Sequence, residues 1–336
     1  MIPVFASVAA SAFIASLIVS ALALYGRVLD FPNQRSAHTT PTPRAAGLGL
    51  IAGLGAGALA ASFFPISAGG IGPVLMIAAL FALLGLFDDL YDLSEALKFV
   101  VFVALCLAMV WAAGPVTRLG ITLDLAVNLP IAIAVFGSVL FVFTVVNAAN
   151  FMDGSDGMLI AVMGPAAAGL GVAGLVAGSL ATSIIGVSLA AACLAFAIFN
   201  RPPAQAFAGD VGALGAGAAY AGAALVMAGQ GFSGSLWLAP MFVLVFLTDV
   251  LLTLLRRAMA GRLKLTAHAE HAYQRLIRAG WSHGRLALIY GGLTVGVVIT
   301  GLVAAQGPDG SVPVAFAVWA VILSVLYRIA GRIAPD

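Results

Sequence analysis

The stretch from Asn147 to Met158 reads NAANFMDGSDGM. It packs two carboxamides (Asn147, Asn150), two carboxylates (Asp153, Asp156) and two glycines (Gly154, Gly157) between two apolar runs. Carboxylates and carboxamides on a glycine-hinged turn can bind a hard cation and hydrogen-bond a polar ligand. The same letters also suit a capped turn that stops one helix and starts the next. A second acidic motif, Asp88–Asp89, closes another apolar run in GLFDDLYDLSEALK. Adjacent carboxylates repel, and a helix C-terminus is already negative, so a nearby cation is the expected offset. Mg²⁺ bridging substrate phosphates is the commonest use of such a pair. Lys98, at the start of the next run, can supply charge to a phosphate.

Three further segments hold polar chemistry. DFPNQRSAHTTPTPRAAG, residues 30–47, offers Arg35, His38 and Arg44 as anion donors on a proline-stiffened loop. A positive loop that touches lipid head groups would look the same. NRPPAQAFAGDVGALGAG opens with Asn200 and contains Phe207 and Asp210. Phe207 is expected to be exposed and able to stack on a nucleobase, or to anchor at the membrane interface. Asp210, between Gly209 and Gly212, is placed for close backbone approach to a ligand or for capping a helix. In HAEHAYQRLIRAGWSH, a helix would put His268 and His271 on one face. With a single Glu nearby, phosphate contact fits that pair better than zinc. Asp249, inside an apolar run, is expected either to serve function or to pair with a neighbour.

The elements that carry these residues are membrane spans. The 336 residues are 62% hydrophobic and only 8% charged, with a mean hydropathy of +1.13, against roughly 25% charged in a soluble domain. Eleven apolar runs of spanning length lie near 3–25, 45–64, 71–87, 97–114, 131–146, 159–176, 181–199, 213–229, 236–255, 285–305 and 311–330. Inside lipid the backbone must satisfy itself, so each is expected to be a helix. The first begins at Met1 with no basic residue before it and is expected to be a retained span. Cys106 and Cys193 lie within runs and are expected to stay unpaired. The fold is therefore an all-α integral membrane protein in a single domain, 1–336. The segment Arg118–Leu125, RLGITLDL, alternates like a strand and suggests a short β-hairpin.

Charge orients the chain. Of fifteen Lys and Arg, only Arg118 falls in an even-numbered loop. The positive-inside rule then places the loops at 26–44, 88–96, 147–158, 200–212 and 256–284 in the cytoplasm with the C-terminus, and the N-terminus and the hairpin outside. The acidic, basic and histidine-containing loop segments all lie on that one side. Secondary transporters, the alternative class, hold polar ligands near the midplane, often between paired repeats, and no repeat is evident here.

Together and in this order, Asp88–Asp89, NAANFMDGSDG at 147–157, NRPPAQAFAGD at 200–210 and the histidine-containing last loop resemble the polyprenyl-phosphate N-acetylhexosamine-1-phosphate transferase family (glycosyltransferase family 4). The resemblance covers nearly the whole chain. It implies transfer of a sugar-1-phosphate from a UDP-sugar to undecaprenyl phosphate, with release of UMP, at a cytoplasmic site using Mg²⁺ or Mn²⁺. It implies an inner-membrane enzyme, compatible with a homodimer, with no nucleic-acid partner. By resemblance, Asp88 and Asp89 stand near the metal and the lipid phosphate, with Asp88 deprotonating that phosphate, and Asp210 binds the metal. Asn150, Asp153, Gly154 and Asp156 form the nucleotide-side loop, beside Asn147, with Asp156 nearer the phosphates. Phe207 stacks on uracil with Asn200 as its companion, and Lys98, His268 and His271 contact the diphosphate. The last loop lacks the three consecutive histidines of the muramoyl-pentapeptide branch. The wording NFMDG, HAYQ and WSH is most similar to the O-antigen-initiating branch, which uses UDP-GlcNAc or related 6-deoxy-N-acetylhexosamines.

Overall fold

The computed structural model describes residues 1–25, 29–30, 42–43, 45–122, 125–228, 230–232, 234–261 and 270–335. Arg35, His38 and His268 lie outside the described residues. The chain opens with α1 (Ile2–Tyr25), followed by a two-residue antiparallel pair, β1 (Leu29–Asp30) with β2 (Thr42–Pro43). A 3₁₀ turn at Ala45–Gly47 leads into α2 (Leu48–Ser62), α3 (Ile71–Tyr91) and α4 (Glu95–Ala113). The hairpin of β3 (Arg118–Gly120) and β4 (Ala126–Asn128) comes next, with Leu119 opposite Val127. After it run α5 (Ile131–Met152), α6 (Met158–Ala177), α7 (Leu180–Asn200) and α8 (Gly209–Ala228). The chain ends with α9 (Ser235–Phe242), α10 (Leu244–Met259), α11 (Ala272–Arg278), α12 (His283–Ala304) and α13 (Ser311–Ile333).

This is an all-α membrane architecture. Among the described residues ten helices are long and apolar enough to cross a bilayer, or eleven if α9 and α10 are counted as one span. The ninth apolar run, expected as a straight helix, is in fact that pair, bent by 71°. Val243 leaves helical geometry at the joint (φ −103°, ψ 12°), one turn after Pro240. The expected hairpin is present, and its Gly120 carbonyl accepts a hydrogen bond from Trp237 Nε1 at 2.6 Å. Both cysteines are buried and unpaired.

The bundle is built around α8, nearly every residue of which is buried. Thirteen of the twenty residues in its sequence GDVGALGAGAAYAGAALVMA are Gly or Ala, so neighbouring backbones can approach it closely. Helices α3, α5 and α7 pack directly against it. The closest approach that matters for chemistry is at Gly85 of α3. A Cβ there would lie 2.4 Å from the backbone carbonyl of Asp210. The missing side chain lets the end of α3 meet the start of α8.

Hydropathy makes the helices too short at the polar end. Asp88 and Asp89 belong to the last turns of α3, Asn147 and Asn150 to the end of α5, and Asp210 to the first turn of α8. Polar residues end an apolar run, but the helical hydrogen-bond ladder continues through them. The residues expected on loops therefore stand largely on rigid helix termini, all at one end of the bundle.

Candidate active site

The N-terminus of α8 organises the site. The first amides of a helix have no intrahelical acceptor. In α8 two are satisfied by carboxylates from elsewhere. Asp89 Oδ2 accepts from the Val211 N–H at 3.2 Å, and Asp153 Oδ2 accepts from the Gly209 N–H at 2.8 Å. The positive end of the helix dipole favours both anions. Asp210 lies between those two amides, so three carboxylates from α3, the α5–α6 turn and α8 share one cleft.

Lys98 supplies the opposing charge. Its Nζ is bonded to Asp88 Oδ2 and lies 3.7 Å from Asp210 Oδ2. The other oxygen of Asp88, Oδ1, accepts from the Leu93 N–H at 3.2 Å. Asp88 is thus committed to the end of α3 and to Lys98, whereas Asp89 and Asp153 each use one oxygen on α8. The second oxygen of Asp153, Oδ1, is sealed from solvent with no hydrogen-bond partner among the described residues. Burial is the main reason the Asp153 carboxyl sits well above the usual carboxylate range. The Gly209 amide opposes that shift, and the charges of Asp210 and Asp89 add to it. A hard cation fits this donor set, because it would satisfy the orphaned oxygen and offset three negative neighbours. Among the described residues no three acidic, histidine or cysteine side chains form a ready metal cluster.

The turn from Asp153 to Gly157 is pinned from both sides. Gly157 adopts φ 73°, which only glycine takes cheaply, and turns the chain into α6. Its N–H donates to Asn200 Oδ1 at 3.1 Å, and Asn200 Nδ2 donates to the Ala206 carbonyl at 2.9 Å. Asp156 Oδ2 accepts from the Ala204 N–H at 3.0 Å. Asn147 donates to the Phe143 carbonyl at 2.8 Å, within α5. Gly154 faces the Tyr273 hydroxyl, and a Cβ at that glycine would lie 2.6 Å from it.

Several expectations need correction. Phe207 is 8% exposed, so its ring is packed into the protein rather than offered to solvent. Asn200 is buried, and both ends of its amide are spent on joining two loops. His271 does not lie within a helix. It is the extended N-cap of α11 (φ −60°, ψ 151°), buried against Phe151 and Tyr273. Its Nδ1 lies 3.6 Å from Asp249 Oδ1. Asp249 resolves as a paired carboxylate. It accepts from the Ala272 and Tyr273 amides at 2.8 and 3.3 Å and from the Tyr290 hydroxyl at 2.7 Å. It thereby caps α11 from the bent segment.

Two contacts to the acidic turn come from residues that sequence reasoning left without a role. The Tyr273 hydroxyl donates to the Phe151 carbonyl at 2.7 Å, and burial raises its pKa above the ordinary tyrosine value, so it stays a donor. His283, the first residue of α12, reaches Ser155 and Asp156. The available signals were HAYQ and WSH, with Ser282 as an evident N-cap whose hydroxyl accepts from the Arg285 N–H.

The model of glycosyl transferase family 4 matches residues 71–228, the segment that holds α3 through α8. The decaprenyl-phosphate N-acetylglucosaminephosphotransferase of Mycobacterium tuberculosis is 31% identical over 315 residues, covering 81% of this chain and 74% of its own. The chain belongs to this family of polyprenyl-phosphate sugar-phosphate transferases. Other relatives agree. A probable undecaprenyl-phosphate N-acetylglucosaminyl 1-phosphate transferase of Bacillus subtilis is 27% identical over 81% of this chain and 76% of its own. A phospho-N-acetylmuramoyl-pentapeptide-transferase of Desulforudis audaxviator is 28% identical over 89% of this chain and 96% of its own. Membership in glycosyl transferase family 4 makes the protein a multi-pass membrane transferase rather than a transporter.

Proposed function

We propose that this transferase moves N-acetylglucosamine-1-phosphate from UDP-GlcNAc to a polyprenyl phosphate and releases UMP, as a membrane step of cell-envelope polysaccharide synthesis. The observation that carries this reading is the convergence of Asp89, Asp153, Asp210 and the Asp88–Lys98 pair at one end of the bundle. These groups come from four elements spread between Asp88 and Asp210. Relatives named for N-acetylglucosamine phosphate transfer favour that donor over the 6-deoxy sugars and over the muramoyl pentapeptide.

Both substrates are anions, so the site must hold phosphates against repulsion. Lys98 places a cation beside Asp210, where the diphosphate would lie, and stabilises charge on the phosphoryl oxygens. Asp210 would hold Mg²⁺, or Mn²⁺ in its place, with Asp89 and Asp153 alongside. The metal would supply screening of the diphosphate and of the departing UMP. A lipid phosphate oxygen attacks the β-phosphorus of the UDP-sugar, and the bond from that phosphorus to the α–β bridging oxygen breaks. The lipid gains a diphosphate-linked sugar and UMP leaves. Asp88, paired to Lys98, orients that lysine. The 153–157 turn carries the nucleotide side of the site, and its attachments to Asn200, Tyr273 and His283 hold it rigid. The polar end of the bundle is assigned to the cytoplasm of the inner membrane, where UDP-sugars are made.

The test is UMP release by the purified protein given undecaprenyl phosphate, Mg²⁺ and a panel of UDP-N-acetylhexosamines. The expected result is UMP from UDP-GlcNAc that requires both lipid and metal. Absence of UMP with every donor, from well-folded protein, would overturn the reading.

A further inference from the structure

His283 stands outside the acidic cleft yet touches the turn that forms one wall of it. Its Nδ1 lies 3.1 Å from the Asp156 amide nitrogen and 3.0 Å from Ser155 Oγ. A backbone N–H can only donate, so Nδ1 must be the acceptor and carries no proton. The Ser155 hydroxyl, free to rotate, then donates to the same nitrogen. The ring is therefore the neutral tautomer with its proton on Nε2. This also explains the 3.6 Å separation from Asp156 Oδ1. With no proton on Nδ1, that contact is not a hydrogen bond.

The location makes the acceptor consequential. Asp156 precedes Gly157 and the first turn of α6, and its own Oδ2 is committed to Ala204. The Asp156 amide and the buried Ser155 hydroxyl thus have the His283 ring as their acceptor on the α12 side. The ring is held in place by α12, which starts at His283 and packs along α6.

We propose that His283 is a positioning residue for the transfer reaction. It fixes Ser155 and Asp156, and through them the acidic turn, by accepting hydrogen bonds at an unprotonated Nδ1. This rests on the proposed function, because the turn matters only if it serves the phosphoryl-transfer site.

The experiment combines kinetics with a readout that needs no turnover. Asparagine places its side-chain oxygen near the position of Nδ1, whereas glutamine places it near Nε2. His283→Ala and His283→Gln should lower kcat about tenfold or more, as misplacement of a wall of the site does, with a smaller change in KM for the UDP-sugar. His283→Asn should recover most of the rate. In parallel, ¹⁵N-histidine NMR of the wild-type protein, assigned by the loss of one of four histidine signals in His283→Asn, should show His283 as the Nε2–H tautomer. An Nδ1–H tautomer, or equal kcat in His283→Ala and wild type, would overturn the inference. A wild type that shows the Nε2–H tautomer but releases no UMP would instead count against the functional reading and leave the tautomer assignment standing.

Discussion

At the residue scale, the site is a set of carboxylates that differ in what they hold. Asp88 is neutralised by Lys98, Asp89 and Asp153 each give one oxygen to α8, and Asp210 sits among them. Asp210→Asn keeps the shape and removes one negative charge. It should abolish Mg²⁺-dependent UMP release while leaving the detergent-solubilised protein folded. Near-normal metal-dependent rates in that variant would sink the metal assignment. Asn200 makes a different kind of prediction. It is buried and joins the Gly157 amide to the Ala206 carbonyl. Asn200→Ala orphans both groups, at about 1–3 kcal/mol each. The expected outcome is a lower thermal midpoint in detergent, together with reduced activity. An unchanged midpoint would show that the two loops hold without it.

At the element scale, what places these residues is the close contact of α3 with α8. Gly85 is the hinge of that contact, with the Asp210 backbone where its Cβ would be. Gly85→Ala has no room, and the obstacle is main chain rather than a flexible side chain. The variant should lose about 1–3 kcal/mol, and it should lose activity out of proportion as α8 and its captured carboxylates separate. Activity equal to wild type at equal expression would mean that the two helices tolerate a wider gap. The bend between α9 and α10 acts at the same scale. By turning α10 it lets Asp249 cap α11, which in turn presents Tyr273 to the Phe151 carbonyl beside the acidic turn. The break in the span is thus tied to the site through two short helices.

At the scale of the whole molecule, the polar chemistry gathers at one end and the hairpin caps the other. The charge asymmetry predicts that the acidic end is cytoplasmic. Both native cysteines are buried, so single cysteines placed at exposed positions would report orientation against a low background. A cysteine at Arg201 should be protected from a membrane-impermeant thiol reagent in intact cells, and one at Leu125 should be labelled; the reverse pattern would invert the topology. The sequence alone was enough for the membrane class, the spans, the hairpin and the acidic motifs. Each of these follows from local composition, since lipid demands long apolar helices and paired charges stand out against them. It could not show that Phe207 and Asn200 are buried, that the ninth run is bent, or that His283 and Tyr273 support the turn. Those facts depend on which residue meets which across the bundle. A polar side chain that serves a ligand and one that serves a neighbouring loop look alike in a sequence, and only the packing of helices around α8 decided between them.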